Sequence, residues 1–472
     1  MFDRSLLNDA QVTQLTDAVL TVLDELGAVY QNEEILKALE AAGARVDYGR
    51  EVATFPPELV CRFVEDVRRE QPSPGEDDGH RAFVAPGAGR LFHQLSQYYY
   101  DGAERERRLG NCADYIQLLK FGEVVHRDAG VGHCLLLADV PAPLEPLMAT
   151  LLQFEHVTRP AGAYVQDVRQ IDYLVEMEEL AGVEGLHWLA NVGFSSPLRL
   201  GREVAERFVC ALKRGRPNSV YVMTVSDAGT PVTVAGTAVV AAAELLANWI
   251  AGRALKPGVP LGGGVWIATM DMRNGESSYS AADAVVRNLA VREFLRRWTG
   301  TVVGAGGGGY SPAKTPGLYA LLENAYTAMT LAAYTGSHPG VVAGHLDGGL
   351  TISPVQFLLE TEFTESLAHL APPLEISEET IGLDTILSVA HAEQGDYLQT
   401  EHTLRHFRSA LCLPELAGRA GWTGRDSEEQ VLRRTQRKVD ELIASYRKPD
   451  VDEGLLGKLR AVVERARTEL CG

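Results

Sequence analysis

The amino-acid sequence predicts an α/β protein, a TIM (β/α)8 barrel with an N-terminal helical segment and a C-terminal helical extension. The first observation concerns residues 219–251, where an alternating strand pattern is followed by a polar loop and then by an alanine-rich helix. Thr230 and Pro231 suit the N-cap and first position of that helix, which we expect to end near Ala251. The second observation is that the same order of strand, loop and helix recurs along the chain.

Seven segments are strand candidates. They lie roughly 24 to 42 residues apart, which leaves room for a crossover helix after each strand. Parallel strands connected in this way either close into a barrel or form an open doubly wound sheet, and the GxGxxG loop of the commonest open sheet is absent. The barrel is therefore favoured, with an eighth, weakly patterned unit beyond Glu375. The seven candidates are residues 130–137, 163–166, 187–192, 219–225, 261–268, 301–303 and 341–343.

Residues 9–70 are predicted to form three helices before the barrel. Apolar side chains recur at helical spacing over residues 12–23, and Gly27 is placed to end that helix. The second helix spans residues 32–42 and ends at Gly43. A pair of prolines opens the third helix, at residues 58–69.

Two further segments flank the predicted barrel. Residues 80–100 follow a connector rich in Pro, Gly and acidic residues, and they are typical of short strands with Tyr98 to Asp101 as the edge. We interpret the tyrosine run as an edge packed on the barrel rather than as a binding site. Residues 427–467 are charged and helical, with a break at Lys448 and Pro449. The predicted division is an N-terminal helical and small β segment at 1–105, a TIM-barrel catalytic domain at 106–410 and a C-terminal helical extension at 411–472.

The composition is that of a large soluble enzyme. A chain of 472 residues with 46% hydrophobic content can bury a large core. The net charge of −19 argues against nucleic acid or an anionic membrane as a partner, because both require basic patches. No apolar run reaches the ~18 residues of a membrane helix and the start lacks a signal-peptide core, so we expect a cytoplasmic protein. Six cysteines without a CxxC pair are interpreted as buried or inert thiols, and no bound metal is expected.

In a barrel, the loops that follow the strands meet at one end. His345 and Asp347 are the one His/acid pair in such a loop, and the histidine could be functional or a hydrogen-bonded core residue. Asp227 could likewise be a loop-capping carboxylate. The side chains expected to meet at this end are Gln166, Asn191, Asp227, Asp271, Tyr310 and His345.

Two other features of these loops have a functional and a structural interpretation. Residues 304–309 resemble a phosphate cradle but lack the Lys-Ser/Thr of a P-loop, so we interpret them as close backbone packing. Phe194, Trp266 and Tyr310 suit an aromatic cage for an alkylammonium ion, in which each ring face contributes roughly 0.5–2 kcal/mol. Ordinary core packing is the alternative for each ring.

Four stretches resemble, in order, the trimethylamine methyltransferase family. They are LDELGAVYQNEEILKALEAAGARVD, DAGTPVTVAGTAVVAAAELLANWI, PGVPLGGGVWIATMDMRNG and GHLDGGLTISPVQFLLETE, and the resemblance covers nearly the whole chain. It implies a TIM barrel that moves a methyl group from a methylated amine to the cobalt of a corrinoid (cobalamin). A partner protein is expected to carry that corrinoid, because nothing in the chain resembles the DxHxxG cobalamin-binding loop.

One stretch departs from the pattern of the trimethylamine-specific members. Those members resemble the pattern TDAKxxDA-(pyrrolysine)-AGYE in the loop and helix after the sixth strand. Residues 311–323 of this chain match that stretch, with Tyr319 at the position of pyrrolysine. Lys314 and Glu323 are kept, whereas Gly317 replaces the acid. The resemblance therefore indicates the non-pyrrolysine branch and a quaternary amine such as a betaine, because a quaternary nitrogen leaves as a neutral amine without gaining a proton.

The resemblance gives each candidate residue an expected role. His345 orients the substrate or faces the corrinoid, and Asp347 balances the cation or fixes the imidazole tautomer. Two alternatives stay open, a TIM-barrel lyase or aldolase with His345 as base, and a betaine-binding protein without transfer activity. A homo-oligomer is expected. The catalytic candidates are His345, Asp347 and Glu323, and the substrate-binding candidates are Gln166, Asn191, Trp266, Asp271, Tyr310 and Tyr319.

Overall fold

In the computed structural model of the protein, helices and strands alternate along much of the chain. The structure describes residues 5–70, 91, 94–183, 193–306, 309–335, 344–369, 375–390, 395–418, 421, 423–424 and 426–472. The helices are α1 (Asp9–Glu25), α2 (Glu33–Ala42), α3 (Pro57–Glu70), α4 (Cys112–His126), α5 (Glu145–His156), α6 (Ile171–Ala181), α7 (Arg202–Lys213), α8 (Val234–Leu255), α9 (Ala282–Thr299), α10 (Leu318–Thr335), α11 (Pro354–Ala368), α12 (Glu378–Ile381), α13 (Leu383–Ala390), α14 (Glu401–Ala410), α15 (Asp426–Ala444) and α16 (Glu453–Cys471). The strands are β1 (Ala28–Tyr30), β2 (Arg45–Asp47), β3 (Val52–Thr54), β4 (Tyr98–Asp101), β5 (Glu106–Leu109), β6 (Arg199–Leu200), β7 (Asn218–Ser226), β8 (Leu261–Met270), β9 (Ser277–Ser278), β10 (Gly304–Ala305), β11 (His345–Leu346) and β12 (Thr351–Ile352).

The three N-terminal helices confirm the sequence prediction. After α1, Gly27 takes a φ of 66° and donates its N–H to Val22 O at 3.0 Å. The Asn32 side chain caps α2 by accepting from Ile35 N, and Gly43 ends that helix in the left-handed conformation. Strands β1, β2 and β3 do not follow from the sequence pattern, because three residues are too few to show an alternation.

The longest strands form a parallel pair at the middle of the chain. β7 and β8 pair from Asn218 opposite Leu261 to Ser226 opposite Thr269, and β10 pairs in parallel with the other side of β8. Both long strands confirm the sequence prediction. The unit of strand, loop and helix from which the fold class was inferred is therefore present.

The other strand predictions have different outcomes. The strand expected at residues 301–303 forms just beyond them, at β10, where Gly304 pairs with Gly264. An added Cβ at Gly264 would lie 2.5 Å from the Trp266 ring, so glycine at this position makes room for the indole. The predicted strands at 187–192 and 341–343 lie outside the described residues.

Two predicted strands are extended segments rather than regular strands. Residues 130–137 and 163–166 form no named strand in the described structure. Isolated parallel bridges nevertheless connect this part of the chain to its neighbours. They join Val131 to Pro160 and Ser96 to Leu135.

The described strands form three four-stranded sheets. Their orders are β2-β3-β1-β6, then β10-β8-β7 with β9 on β8, and β11-β12-β4-β5. Helices cover the parallel strands, so the protein has a mixed α/β structure. Within the described ranges the three sheets do not join into one closed ring.

The tyrosine-rich strand β4 corrects one prediction. It lies between β12 and β5 and is therefore an inner strand rather than an edge. Tyr98 pairs with Thr351 on one side and with Leu109 on the other. The partner on the first side lies far along the chain, so a local sequence pattern could not reveal it.

Helix α8 starts later than predicted. Its N-cap is Thr233, whose side chain accepts from Gly236 N at 3.1 Å. Thr230 instead belongs to the preceding turn, where its carbonyl accepts from Asp227 N at 3.0 Å. The predicted start at Thr230 and Pro231 is therefore wrong, because a second hydroxyl residue lies nearer to the helix.

The expectation that no apolar run reaches membrane-spanning length also needs correction. Among the described residues, α8 is long and apolar enough by length and composition, with a mean hydropathy of 1.6. However, 72% of this apolar stretch of α8 is buried inside the protein. α8 packs against α1, α2, β7 and α9, as the central helix of a hydrophobic core.

The C-terminal helices are part of the body of the protein. α15 packs with α4 and α11 around one apolar cluster, and α16 packs with α5 and α6 around another. The helical prediction for residues 427–467, with its break, is confirmed. Three helices but no strand occur in the described part of residues 375–418, so that part adds no eighth βα unit. Cys61 and Cys471 are exposed, so of the two predicted states, buried or inert, only the second stays open for these thiols.

Candidate functional site

The candidate site forms where residues 344–350 fold back on themselves between β11 and β12. Gln97 N and Tyr98 N donate to Leu350 O at 2.9 and 3.0 Å, which joins this loop to the β4–β5 hairpin. Gly349 has a φ of 95°, and a Cβ placed there would lie 2.8 Å from the Tyr310 ring. Glycine therefore lets the backbone pack directly on an aromatic side chain.

Asp347 joins three segments of the chain in this loop. Its buried carboxylate accepts from Arg107 Nη1 of β5 and from Lys314 Nζ of the segment before α10. The backbone repeats the second connection, since Asp347 N donates to Ala313 O at 2.8 Å. Two cations thus share one carboxylate, which leaves an excess of one positive charge at this point.

His345 is buried beside this loop and is held by a serine. Its Nδ1 lies 3.2 Å from Ser96 Oγ, and the same hydroxyl donates to Gly349 O at 3.0 Å. Ser96 Oγ therefore connects the imidazole to the backbone of the loop, while the ion pairs of Asp347 are with Arg107 and Lys314.

Glu323 reaches the same region from the second turn of α10. Its Oε2 accepts from the buried Ser311 Oγ, and Ser311 O accepts from Gly348 N at 2.9 Å. Tyr319, one turn earlier, is 65% exposed. Of the two candidate residues from the stretch after the sixth predicted strand, Glu323 therefore lies among the hydrogen bonds around residues 344–350, whereas Tyr319 lies at the surface.

Two pairs of aromatic rings are candidates for a cation site, and one of them, Tyr279 with Tyr310, lies beside Gly348 and Gly349 of the loop. Tyr310 contacts Tyr279 with ring centroids 5.4 Å apart, and its hydroxyl donates to Gln94 Oε1 at 2.8 Å. Trp266 contacts Tyr221 with centroids 4.9 Å apart. Burial, followed by the nearby Tyr279 and Tyr221, raises the pKa of Tyr310 well above its ordinary value, so its phenol stays neutral.

The aromatic cage predicted from the sequence changes in membership. Phe194 is buried and packs edge-on against Tyr30 at 6.2 Å, so it belongs to the hydrophobic core. Trp266 covers Gly306, where an added Cβ would lie 1.8 Å from the indole. Close backbone packing is therefore found at Gly306 of the 304–309 segment.

The remaining predicted site residues make contacts within their own loops. The Asp271 carboxylate accepts from Arg273 Nη2 at 2.7 Å, and that hydrogen bonding lowers the pKa of Asp271 to about 2. Gln166 is exposed, and its backbone N–H donates to Gln170 Oε1 at 3.1 Å. Asn191 lies outside the described residues.

Several residues that contact the loop at 344–350 were not found from the sequence. Gln94, Ser96 and Arg107 lie about 240 residues or more before the loop that they contact. No periodic pattern connects positions so far apart. Arg107 alone carries a local signal, as a cation in a strand beside the tyrosine run.

A buried glutamate on α11 supports the loop from behind. Glu360 accepts from Gly344 N at 2.6 Å, from Asn324 Nδ2 at 2.5 Å and from Gln356 Nε2 at 2.8 Å. It thereby connects α11 to α10 and to the first residue of the glycine loop. Burial raises the pKa of Glu360 to about 7.

This buried glutamate predicts a pH dependence of stability. Folded Glu360 keeps its proton up to about pH 7, whereas the unfolded chain loses it near pH 4.5. Stability should therefore fall as the pH rises through this window, by roughly 3 kcal/mol for one such group. In urea unfolding at pH 5 and pH 7, Glu360→Gln should reduce this difference, while exposed Glu375→Gln should leave it unchanged. An unchanged difference in Glu360→Gln would show that this carboxyl does not titrate in the window.

The described residues include no group of three or more His, Cys, Asp or Glu side chains placed to hold a metal ion. A surface cavity of ≈ 480 Å³ lies elsewhere, between α11, α15 and residues 412–416. Its lining includes none of the rings or charged groups described above. The aromatic and charged groups near residues 344–350 therefore remain the best candidate site.

Comparison with known proteins extends over almost the whole chain. A family model described as trimethylamine methyltransferase (MTTB) matches residues 3–471. A trimethylamine methyltransferase of Desulfitobacterium hafniense is 24% identical, over 98% of this chain and 94% of its own length. A glycine betaine methyltransferase of the same species is 21% identical, over 99% and 98%. The crystal structure of the Methanosarcina barkeri monomethylamine methyltransferase aligns over 92% of both chains, with 12% identity and a TM-score of 0.42.

Proposed function

Because the chain belongs to the trimethylamine methyltransferase family, we propose that it transfers a methyl group from a quaternary amine, such as a betaine, to the cobalt of a corrinoid. The corrinoid enters as a substrate carried by a partner protein, and it supplies the nucleophile. The observation that carries this proposal is the ring pair of Tyr279 and Tyr310 beside the loop of His345 and Asp347, in a chain that matches the family from residue 3 to residue 471.

The rings fit a quaternary ammonium group. Such a group has no N–H to donate, so it is held by ring faces and by opposite charge rather than by hydrogen bonds. When its methyl group leaves without the bonding electron pair, the nitrogen keeps that pair and departs as a neutral tertiary amine. The nucleophile supplies both electrons of the new bond. The protein therefore has to hold the cation and orient one methyl group, without moving a proton.

The contacts of His345 agree with that requirement. A general base would need a carboxylate that stabilises the imidazolium it becomes, whereas the Asp347 carboxylate is already shared by Arg107 and Lys314. The lyase or aldolase alternative gains no support from these contacts. The betaine-binding alternative is separated from the proposal by assaying transfer itself.

The proposal includes a closed (β/α)8 barrel within residues 106–410 and a cytoplasmic location. Parallel pairing supports the barrel on both sides of the central strands. Gly193 bridges to Tyr221 in β7, β7 and β8 pair with each other, and β10 follows on β8.

Substitution of Tyr310 tests the cation site. Tyr310→Ala should raise the KM for a quaternary amine, because one ring face contributes roughly 0.5–2 kcal/mol. Tyr310→Phe keeps the ring and should stay close to the wild type. Transfer is followed by the absorbance change of a reduced corrinoid protein, with exposed Tyr48→Ala as the control. Equal loss in the Ala and Phe variants would assign the effect to the hydrogen bond with Gln94.

His345 gives a second test. His345→Ala should lower methyl transfer about ten-fold or more, which corresponds to about 1.4 kcal/mol. Because His345 is buried, His345→Asn is the matched variant, since its side-chain amide can still donate to Ser96 Oγ. Folded His345→Asn with normal transfer in the same absorbance assay would limit His345 to a structural role.

We further propose that the chain forms a homo-oligomer through α12, α13 and α14. Large apolar side chains are exposed along this segment, including Ile376, Leu398 and Leu404 at 76, 81 and 74%. α12 and α14 lie side by side, since the His402 ring of α14 contacts Glu379 O of α12 at 3.2 Å. Clustered exposed apolar residues mark protein interfaces, and a second copy presents the same surface.

Light scattering tests this surface. The wild type should have a mass that is a multiple of 51.3 kDa, and Leu398→Asp with Leu404→Asp should shift it towards one chain. Leu26→Asp, at an exposed apolar position in the N-terminal segment, is the control. A single-chain wild type, or an unchanged mass in the double variant, would contradict the proposal.

A further inference from the structure

Exposed apolar side chains follow the parallel strands at the end where the candidate site lies. Val232 comes after β7 and Met272 after β8, and their side chains are 57% and 77% exposed. Tyr319 and Leu322 lie at the start of α10, the helix after β10, and both are 65% exposed. Because β7, β8 and β10 are parallel, the segments after them leave the sheet at the same edge. We call these four side chains the apolar rim.

Helix α10 extends the apolar rim along one face. Its exposed large side chains are spaced three or four residues apart and therefore share a face, and the residues buried against the protein lie on the opposite one. In the sequence of α10, Glu323 is the only charged residue, and its carboxylate accepts from Ser311 Oγ. A helix face in water normally carries charged residues, so this face suits contact with another protein. The exposed side chains are Tyr319, Leu322, Tyr326 and Met329.

The apolar rim is continuous with the candidate site. Glu323 follows Leu322 directly, and the Ser311 residue that it contacts accepts from Gly348 N at 2.9 Å through its carbonyl. Met272 lies in the same connection between β8 and α9 as Tyr279, one ring of the pair beside Gly348. A protein that covers the rim would therefore also cover the site.

From this arrangement we infer that the apolar rim is the docking surface for the protein that carries the corrinoid. This inference rests on the proposed function and specifies where its partner binds. The methyl group can move only when the cobalt comes within bonding distance of it, so the carrier has to cover the edge of the sheet that holds the site. A second copy of the chain fixed on the same edge would block the cobalt, and the proposed homo-oligomer uses α12, α13 and α14 instead.

The charges beside the rim indicate the chemistry of this partner. Lys314 lies shortly before α10, is 64% exposed and shares the Asp347 carboxylate with Arg107, so two cations face one anion. The whole chain carries a net charge of −19 and repels an acidic protein, whereas this local excess of positive charge attracts one. The carrier therefore presents an apolar surface with acidic residues at the side that meets Lys314.

Substitutions in the rim test the inference with two methyl acceptors. The first is the reduced corrinoid protein of the transfer assay, and the second is free reduced cobalamin, which needs no docking surface. Leu322→Asp with Met272→Asp should raise the KM for the corrinoid protein at least ten-fold, which corresponds to about 1.4 kcal/mol. Transfer to free cobalamin, and the affinity for glycine betaine in calorimetric titration, should stay at the wild-type values.

Two further variants control for charge and for folding. Leu26→Asp changes a leucine of the N-terminal segment that is also 65% exposed, and it should leave the KM for both acceptors unchanged. Leu322→Gln with Met272→Gln removes the apolar side chains without adding charge, and it should raise the KM for the corrinoid protein by a smaller factor. This pair is the test variant should the aspartates prevent folding.

The outcomes separate this inference from the proposed function. An unchanged KM for the corrinoid protein in the folded rim variants would overturn the inference, and so would an equal loss of transfer to both acceptors. A lower mass in light scattering with an unchanged KM would assign the rim to contact between copies and overturn it as well. A wild type that transfers methyl to free cobalamin, but no faster to the corrinoid protein, would contradict the docking surface and leave methyl transfer standing. Transfer to neither acceptor would overturn both.

Discussion

The geometry of the candidate site depends on the pairing of Asp347 with Arg107 and Lys314. A carboxylate removed from water is costly unless it is paired and hydrogen-bonded, so its position is determined by the cations that reach it. Those cations come from β5 and from the segment before α10. Asp347 also has a φ of 55°, a conformation that aspartate tolerates better than most residues. One charged side chain thus holds together three segments that are distant in sequence.

A second constraint recurs behind the strands. Buried backbone N–H groups must find acceptors, and here polar side chains on helices provide them. Glu244 on α8 accepts from Leu198 N at 2.8 Å, and Asn288 on α9 accepts from Ile267 N at 3.0 Å. Glu145 on α5 accepts from Leu137 N at 2.9 Å, and Glu360 on α11 does the same for Gly344. Each helix is therefore attached to the backbone that it covers, which keeps the functional loops at fixed distances from one another.

The features that the sequence predicts are those with local causes. The end of α1 at Gly27 and the alternation in β7 depend on neighbouring residues, and both are confirmed. The start of α8 was misplaced because Thr230 and Thr233 offer the same local signal, and only packing of the turn decides between them. The contact of Ser96 with His345 joins residues 249 positions apart, so it follows from the tertiary structure and not from any local sequence pattern. The position of His345 and Asp347 in a loop after a predicted strand identified this pair, but it could not supply their partners.

The contacts of His345 and Asp347 connect these constraints to the chemistry. Nδ1 of His345 lies 3.2 Å from Ser96 Oγ, which also contacts Gly349 O, so the imidazole is attached to the backbone of the loop. An amine that had to be protonated on departure would need an acid here, and the Asp347 carboxylate is already engaged by Arg107 and Lys314. The arrangement that stabilises the loop therefore also favours a substrate whose nitrogen already carries its positive charge.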